Sequence, residues 1–171
     1  MKICWYAPLG TGITPFDDGT PETIGCGGAE ASVVFLTREL AKLGHEIKVY
    51  NEPPKSGKTN RVFYDNAINF DPTEHFDVFI LHRTPPYTGL LNRINADLKV
   101  FFSCDQCTVG NWSSEIYPFV DMIICISEYH KRYVKLYKYA PDKKIWITDL
   151  GVNIEDYQRN IMLMLKVLYT L

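Results

Sequence analysis

The chain has 171 residues and a mass of 19.7 kDa, enough for one domain or for a large half of a two-domain protein. Apolar residues make up 46% and charged residues 22%, so the chain can bury a core, and a net charge of −2 excludes a polycation that coats nucleic acid. No stretch approaches about 18 uninterrupted apolar residues, so no membrane-spanning helix is predicted, and Pro8 interrupts the N-terminus before a signal peptide can form.

Short apolar runs alternate with segments of helical periodicity, which is typical of a parallel sheet with crossover helices. The first helix is predicted from Ala29 to Leu43, where apolar residues recur at spacings of three and four, and Gly44 stops it. A second helix over 128–138 carries a tyrosine at every fourth position, and residues 53–60 are predicted to be a surface loop. The predicted strands are residues 2–9, 46–51, 76–83, 98–104, 121–127 and 145–148. We therefore expect an α/β domain with a Rossmann-like, doubly wound parallel sheet.

The cysteines favour a reducing compartment over a secreted disulfide framework. There are five of them, an odd number, so we expect a cytoplasmic protein. Cys4 and Cys125 lie inside strand-like runs and are expected to be small buried residues. Cys104 and Cys107 have the spacing of a zinc or dithiol pair, but no second pair of ligands exists elsewhere, so no metal site is predicted.

The connection after the first strand, residues 9–28, is unusually long, and connections of that length are usually functional or mobile. It carries Asp17, Asp18 and Glu22 but no basic side chain, so an anion here must be held by the backbone. Adjacent glycines at 27 and 28, at the start of the first helix, allow backbone amides to approach an anion closely. The alternative is a flexible glycine hinge. The dinucleotide fingerprint and the P-loop pattern are both incomplete, so NAD and ATP sites are not predicted.

Polar residues follow several predicted strands at the edge of the sheet where ligands usually bind. His82 and Arg83 end the third strand, and Asp105 follows the fourth, so they are candidates for holding sugar hydroxyls or phosphate. The alternative for His82 is a structural histidine that satisfies loop carbonyls. Residues 151–153, Gly-Val-Asn, follow the last strand and are expected at the same edge.

Residues 128–144 form a basic stretch, with six lysines and arginines against two acids, and four tyrosines lie among them. Two interpretations stay open. One is a solvated helix face with a stripe of core residues, and the other is contact with an anionic membrane surface. Nucleic acid is not predicted, since no recognition motif accompanies the basic residues.

Taken in order, these pieces resemble the N-terminal domain of a GT-B-type glycosyltransferase, most like glycosyltransferase family 4. The resemblance rests on the opening Met-Lys-Ile strand, Gly-Gly-Ala-Glu at 27–30, the apolar strand that ends at His82, and the apolar strand that ends at Ser127. Its last part is Ile-Thr-Asp-Leu-Gly-Val-Asn at 147–153, where Thr148-Asp149-Leu150 departs from the family's usual Ile-Pro-Asn. The similarity covers residues 1–157, expected to be one half of the GT-B architecture.

The resemblance implies transfer of a sugar from a nucleotide-diphosphate donor to a glycan, lipid or small-molecule acceptor, with retention of the anomeric configuration and without a metal or other cofactor. The amides of Gly27 and Gly28 are then expected to stabilise the leaving diphosphate, and His82 to hold a hydroxyl near the reacting sugar. Glu30, Arg83 and Asp105 are expected on the acceptor or sugar side. A non-catalytic binding domain and a GT-B-like sugar epimerase fragment are the alternatives.

The family has a second Rossmann domain that holds most of the donor, and this sequence does not contain it, so we expect the chain alone to be inactive. Residues 158–171 form an apolar tail, long enough for one helix or an interdomain segment. Such a tail is expected to self-associate or to dock onto the domain's own surface. A peripheral position at a membrane is the expectation if the acceptor is lipid-linked.

Overall fold

The protein's computed structural model describes residues 1–8, 14–83, 88–104, 114–138 and 140–148. The strands of these residues join in one sheet, in the order β3-β4-β2-β1-β5-β6-β7-β8, and every neighbouring pair is parallel except β3 with β4. Their bounds are β1 Lys2–Tyr6, β2 Glu46–Asn51, β3 Gly57–Thr59, β4 Val62–Asn66, β5 Phe76–His82, β6 Ala96–Ser103, β7 Met122–Cys125 and β8 Ile145–Ile147. The strand order runs outward in opposite directions from the neighbours β1 and β5, so the expected doubly wound, Rossmann-like fold is confirmed.

Four α-helices accompany this sheet in the described residues: α1 Thr20–Thr23, α2 Gly28–Lys42, α3 Thr88–Leu91 and α4 Glu128–Lys138. The two long helices match their predictions closely. Helix α2 is followed by Gly44, whose φ of +88° is the left-handed conformation that lets a glycine end a helix. Helix α2 contacts β2 and β4, whereas α4 contacts β7 and β8.

Side chains alternate between the two faces of the sheet, and each face has its own apolar core. On the α4 face, Cys4 and Cys125 are fully buried, as predicted, with Leu81, Phe101 and Val134. On the α2 face, Trp5, Ile47 and Phe102 pack with Val33 and Val34 of the helix. Because both faces are buried near the centre of the sheet, the central strands are nearly continuous apolar runs.

The prediction that residues 53–60 form only a surface loop is wrong. They include β3, which pairs antiparallel with β4, a strand that the sequence analysis missed entirely. Asn60 and Arg61, with φ of +46° and +70°, make the turn between the two strands. The turn and the polar residues around it interrupt the apolar pattern from which strands are predicted.

The connection after β1 is also more regular than expected, since it contains α1. Several predicted features lie outside the described residues: Asp105, Cys107, residues 151–153, and the tail at 158–171. In the part of the chain that the structure describes, no helix is long and apolar enough to cross a membrane.

Candidate functional site

The candidate site lies at the carboxyl edge of the parallel strands, where α2 also begins. Strands β1, β2, β5 and β6 all end at this edge because they run in the same direction. The crossover from β1 to β2 places the first turn of α2 there as well. Loops and a helix N-terminus therefore converge at the switch point between β1 and β5, where α/β sheets bind ligands.

Gly27 caps the N-terminus of α2 and Gly28 is its first residue. The carbonyl of Gly27 accepts the first helical hydrogen bond, from the amide of Ala31 at 3.0 Å. The amides before Ala31 have no partner within the helix, so the turn offers donors and a partial positive charge. A Cβ at Gly28 meets no atom within 4 Å, whereas a Cβ at Gly27 lies 2.5 Å from Oε2 of Glu30. Space beside Gly28 is thus open to a ligand, and space beside Gly27 is already filled.

The carboxylate of Glu30 fills that space by folding back over the first turn of α2. Glu30 is 4% exposed. Its Oε1 accepts hydrogen bonds from the backbone amide of Thr14 at 2.9 Å and from the hydroxyl of Thr14 at 3.1 Å. A negative side chain here interacts favourably with the helix dipole. Glu30 therefore joins the loop after β1 to the glycine turn, which places it beside the candidate anion site with protein partners of its own.

His82, the last residue of β5, is fully buried on the α2 face. Its ring packs against those of Trp5 and Phe102, with centroids 5.9 and 5.6 Å away, and these two rings also contact each other at 5.7 Å. Sγ of Cys104 lies 3.7 Å from Nε2. The structure therefore brings His82 to the predicted edge as a packed ring rather than as a side chain exposed in a crevice.

Arg83 follows His82 in the left-handed conformation, with a φ of +67°. Its amide donates to the carbonyl of Phe102 at 2.9 Å, so the sheet ladder continues up to this residue before the chain turns. Left-handed backbone costs a residue with a side chain about 1 kcal/mol, and such strain is often found at functional sites. Arg83 is partly buried at the same edge as His82.

A buried histidine that was not predicted from the sequence, His130, lies at this edge. Nε2 of His130 lies 3.1 Å from the hydroxyl of Ser103, at the end of β6, and His130 is 3% exposed. Nδ1 accepts a long hydrogen bond from the amide of Ile126 at 3.5 Å, which favours the tautomer whose Nε2–H donates to Ser103. The amide of His130 donates to the hydroxyl of Ser127 at 3.1 Å. A serine three residues before the histidine, ahead of a helical pattern, is an N-cap signal that was present in the sequence.

Two of the three acidic residues of the connection after β1, Asp18 and Glu22, are paired with Arg38 of α2. The Nε of Arg38 donates to Oδ1 of Asp18 at 2.8 Å, and Nη1 donates to Oε1 of Glu22 at 2.6 Å. Nη2 also donates to the carbonyl of Asp18. The other carboxylate oxygen of Asp18 accepts from Nδ2 of Asn60 at 2.6 Å. The hydrogen bond from Arg38 lowers the pKa of Glu22, so this carboxylate is held in its charged form.

Of the three tyrosines of α4, Tyr133 is partly buried and packs against the core. Tyr129 and Tyr137 are each 66% exposed, whereas His130 and Val134 are buried. The basic residues are partly used within the protein. Nζ of Lys144 donates to the carbonyls of Tyr117 and Val120, and the ammonium of Lys135 pairs with Asp142. The side chains of two further lysines, Lys138 and Lys143, lie outside the described residues.

Among the described residues, no group of three or more histidine, cysteine, aspartate or glutamate side chains is placed to share a metal ion. Cys104 lies beside His82, and Cys107, which has the spacing of a dithiol partner, is outside the described part.

No protein-family profile matches the sequence, and no curated protein matches it. Among solved structures, the chain is similar to a glycosyltransferase from Rickettsia africae ESF-5, with a TM-score of 0.57 and 14% sequence identity. The match covers 90% of this chain and 44% of that chain, so this chain spans less than half of the other protein's length. At this identity the similarity shows a shared fold: the sheet and crossover helices of this chain are those of one part of a glycosyltransferase structure.

Proposed function

We propose that the chain is the N-terminal, Rossmann-like half of a GT-B-type retaining glycosyltransferase similar to family 4, which moves a sugar from a nucleotide-diphosphate donor to a glycan, a lipid-linked acceptor or a small molecule. The observation that carries the proposal is the open first turn of α2 at Gly28, beside the end of β5. The fold shared with the glycosyltransferase from Rickettsia africae supports it at the level of architecture.

The glycine turn supplies the chemistry that a leaving diphosphate needs. As the bond between the sugar and the diphosphate breaks, negative charge develops on the diphosphate oxygens. Backbone amides at a helix N-terminus stabilise such charge without rearrangement and without a metal ion. Because Gly28 has no Cβ and its surroundings are open, the backbone can come within hydrogen-bond distance of the diphosphate.

The strand ends supply the sugar side of the proposed site. In this proposal Arg83 and Asp105 contact the acceptor. His82 does not act as a nucleophile: its buried ring packs against Trp5 and Phe102 and fixes the end of β5 beside the reacting sugar. Glu30 shapes the glycine turn through its bonds to Thr14. The second Rossmann domain of the family supplies the remaining donor contacts, so the chain by itself binds donor weakly and does not turn it over. The proposed location is the cytoplasm, at a membrane surface where the acceptor is a lipid.

Calorimetric titration of the chain with a panel of nucleotide-diphosphate sugars tests the proposal, first alone and then with a second Rossmann domain of the family added in trans. We expect binding that depends on the diphosphate, and turnover only with the added domain. Gly28→Val should weaken binding, because its side chain occupies the space that the ligand needs. Gly19→Ala is the matched control, since a Cβ there makes only an ordinary contact at 3.7 Å with Asp17. Absence of binding under both conditions, or equal binding by both variants, contradicts the proposal.

A further inference from the structure

The half of the sheet formed by β6, β7 and β8 has an apolar surface on the α2 face. Side-chain alternation places Leu98, Met122, Ile124, Ile126 and Trp146 on this surface, which is called the apolar face below. Trp146 lies in register with Ile124 and is 61% exposed, and the other four are partly exposed. Helix α2 contacts β2 and β4, on the other half of the sheet, and α4 packs on the opposite face of β7 and β8.

The diagonally opposite part of the sheet has a solvent-exposed surface that is rich in charged residues. There a hollow along β2, β3 and β4 is lined by four charged residues, Glu46, Lys48, Lys58 and Arg61, and by two apolar residues, Ile47 and Phe63. The apolar face has the reverse composition. An apolar sheet surface with an exposed tryptophan at its edge marks a surface that another element covers.

We propose that the apolar face is the docking site of this chain's own tail, residues 161–168. The segment reads Ile-Met-Leu-Met-Leu-Lys-Val-Leu, in which Lys166 is the single charged residue. A helix of this composition has little polar surface and has to pack on an apolar partner. The composition of the tail and that of the apolar face are therefore complementary.

The position of the tail in the chain favours it over a second molecule. The amide of Thr148 donates to the carbonyl of Cys125 at 2.9 Å, so the described chain ends beside the carboxyl end of β7, next to Ile126. The 12 residues between Thr148 and Ile161 reach about 40 Å when extended. Three neighbouring strands span only about 10 Å between the axes of the outer two. A tethered segment acts at an effective concentration on the order of millimolar, which exceeds that of a second copy at micromolar protein.

Photo-crosslinking on the full chain tests this docking. A benzophenone amino acid replaces Trp146, an exposed side chain on the edge strand, and the matched control carries it at Ile68, which is 87% exposed at the end of β4. We expect position 146, but not position 68, to crosslink within one chain to tryptic peptides from residues 160–171. A crosslinked dimer identifies a second copy as the occupant and overturns the proposal. So does the absence of a crosslink from position 146 to the tail.

Fluorescence quenching gives an independent readout that needs no foreign amino acid. In a Trp112→Phe background, acrylamide quenching reports mainly on Trp146, because Trp5 is only 2% exposed. We expect Leu163→Asp combined with Leu165→Asp to raise the quenching constant, because a charged tail leaves the apolar face. Leu43→Asp, a change at a residue that is 75% exposed beyond the end of α2, should leave it unchanged. Equal quenching constants in the tail variant and its parent overturn the proposal.

Discussion

Gly27 and Gly28 are neighbours in the glycine turn, but the structure constrains them differently. Gly27→Ala places a methyl group against Oε2 of Glu30, so the carboxylate has to leave its bonds to Thr14. We expect the free energy of unfolding to fall by about 1 kcal/mol, the net value of a typical hydrogen bond. Gly28→Ala enters open space at a helical position, and we expect it to keep stability or to raise it by up to about 1 kcal/mol. Urea unfolding of the two variants checks this, and equal losses would contradict the geometry of the turn.

His130 is predicted to matter for stability because its side chain lies on the buried face of α4. His130→Ala removes the shared partner of the Ser103 hydroxyl and the Ile126 amide in a buried position. Loss of buried hydrogen bonds to a side chain costs about 1 kcal/mol for each bond, and we expect a loss of about 1–2 kcal/mol in urea unfolding. The control is its neighbour Tyr129→Ala, whose side chain is 66% exposed and whose loss should change stability by less than about 0.5 kcal/mol. Similar losses in the two variants would show that the buried pair contributes little.

At the scale of elements, Arg38 holds α1 and the loop before it against α2. The side chain of Asp18 is only 4% exposed, so removal of Arg38 leaves a buried carboxylate with its Asn60 bond alone. We expect Arg38→Met to lower the free energy of unfolding by about 3 kcal/mol. Lys42→Met, four residues after Arg38 at the end of α2, removes an exposed ion pair with Glu39 and should cost less than about 1 kcal/mol. Hydrogen exchange of residues 14–24 should rise in the first variant only, and unchanged exchange there would exclude this role.

Glu74 joins β1 to β2 at the amino edge through Lys2 and Lys48, each 2.6 Å away. Burial alone raises the pKa of Glu74, but hydrogen bonds from the two lysines outweigh burial and lower it. A carboxylate whose pKa is lower in the folded state stabilises the fold above its unfolded pKa of about 4.3 and loses that contribution as pH falls through the folded pKa. We therefore expect Glu74→Gln to destabilise the protein at about pH 7 and to have a smaller effect at about pH 3.5. Urea unfolding at the two pH values checks this; an equal effect at both would rule out the charge as its source.

At the scale of the whole molecule, a net charge of −2 opposes binding to an anionic membrane, so such binding needs a local basic surface, for which α4 is the candidate. Lys131 and Arg132 lie on α4 beside exposed Tyr129 and Leu136, a combination typical of interfacial helices. If α4 contacts a membrane, we expect the protein to sediment with anionic vesicles but not with neutral ones. This sedimentation should be lost near 1 M salt, where the screening length is about 3 Å. Changing both residues to glutamine should remove about 1 kcal/mol of binding for each. Lys42→Gln with Lys55→Gln is the control, and equal sedimentation of the two double variants would exclude α4 as the contact.

The sequence predicted the elements whose patterns are local. Six strands and both long helices were predicted, because central parallel strands are apolar runs and α2 repeats its apolar residues with helical spacing. Strands β3 and β4 were missed, since an edge hairpin with polar residues such as Asp65 has no such run. At the candidate site, the convergence of Gly28 and His82 on one edge follows from strand direction alone. The bond between Ser103 and His130, 27 residues apart, and the contact of Glu30 with Thr14 depend on distances that only the folded chain defines.

In the part of the sheet that the structure describes, the two outermost strands, β3 and β8, are each three residues long. An exposed strand edge is a template on which another chain can add a strand, and the number of backbone hydrogen bonds it offers grows with its length. Edges this short offer few backbone hydrogen bonds to a strand from another molecule, and β3 also carries the charge of Lys58. Pairing of strands between molecules, edge to edge, is therefore disfavoured. Aggregates that form when the domain is concentrated should therefore be amorphous and dissolve in mild detergent, rather than fibrous with the cross-β signature of strand stacking.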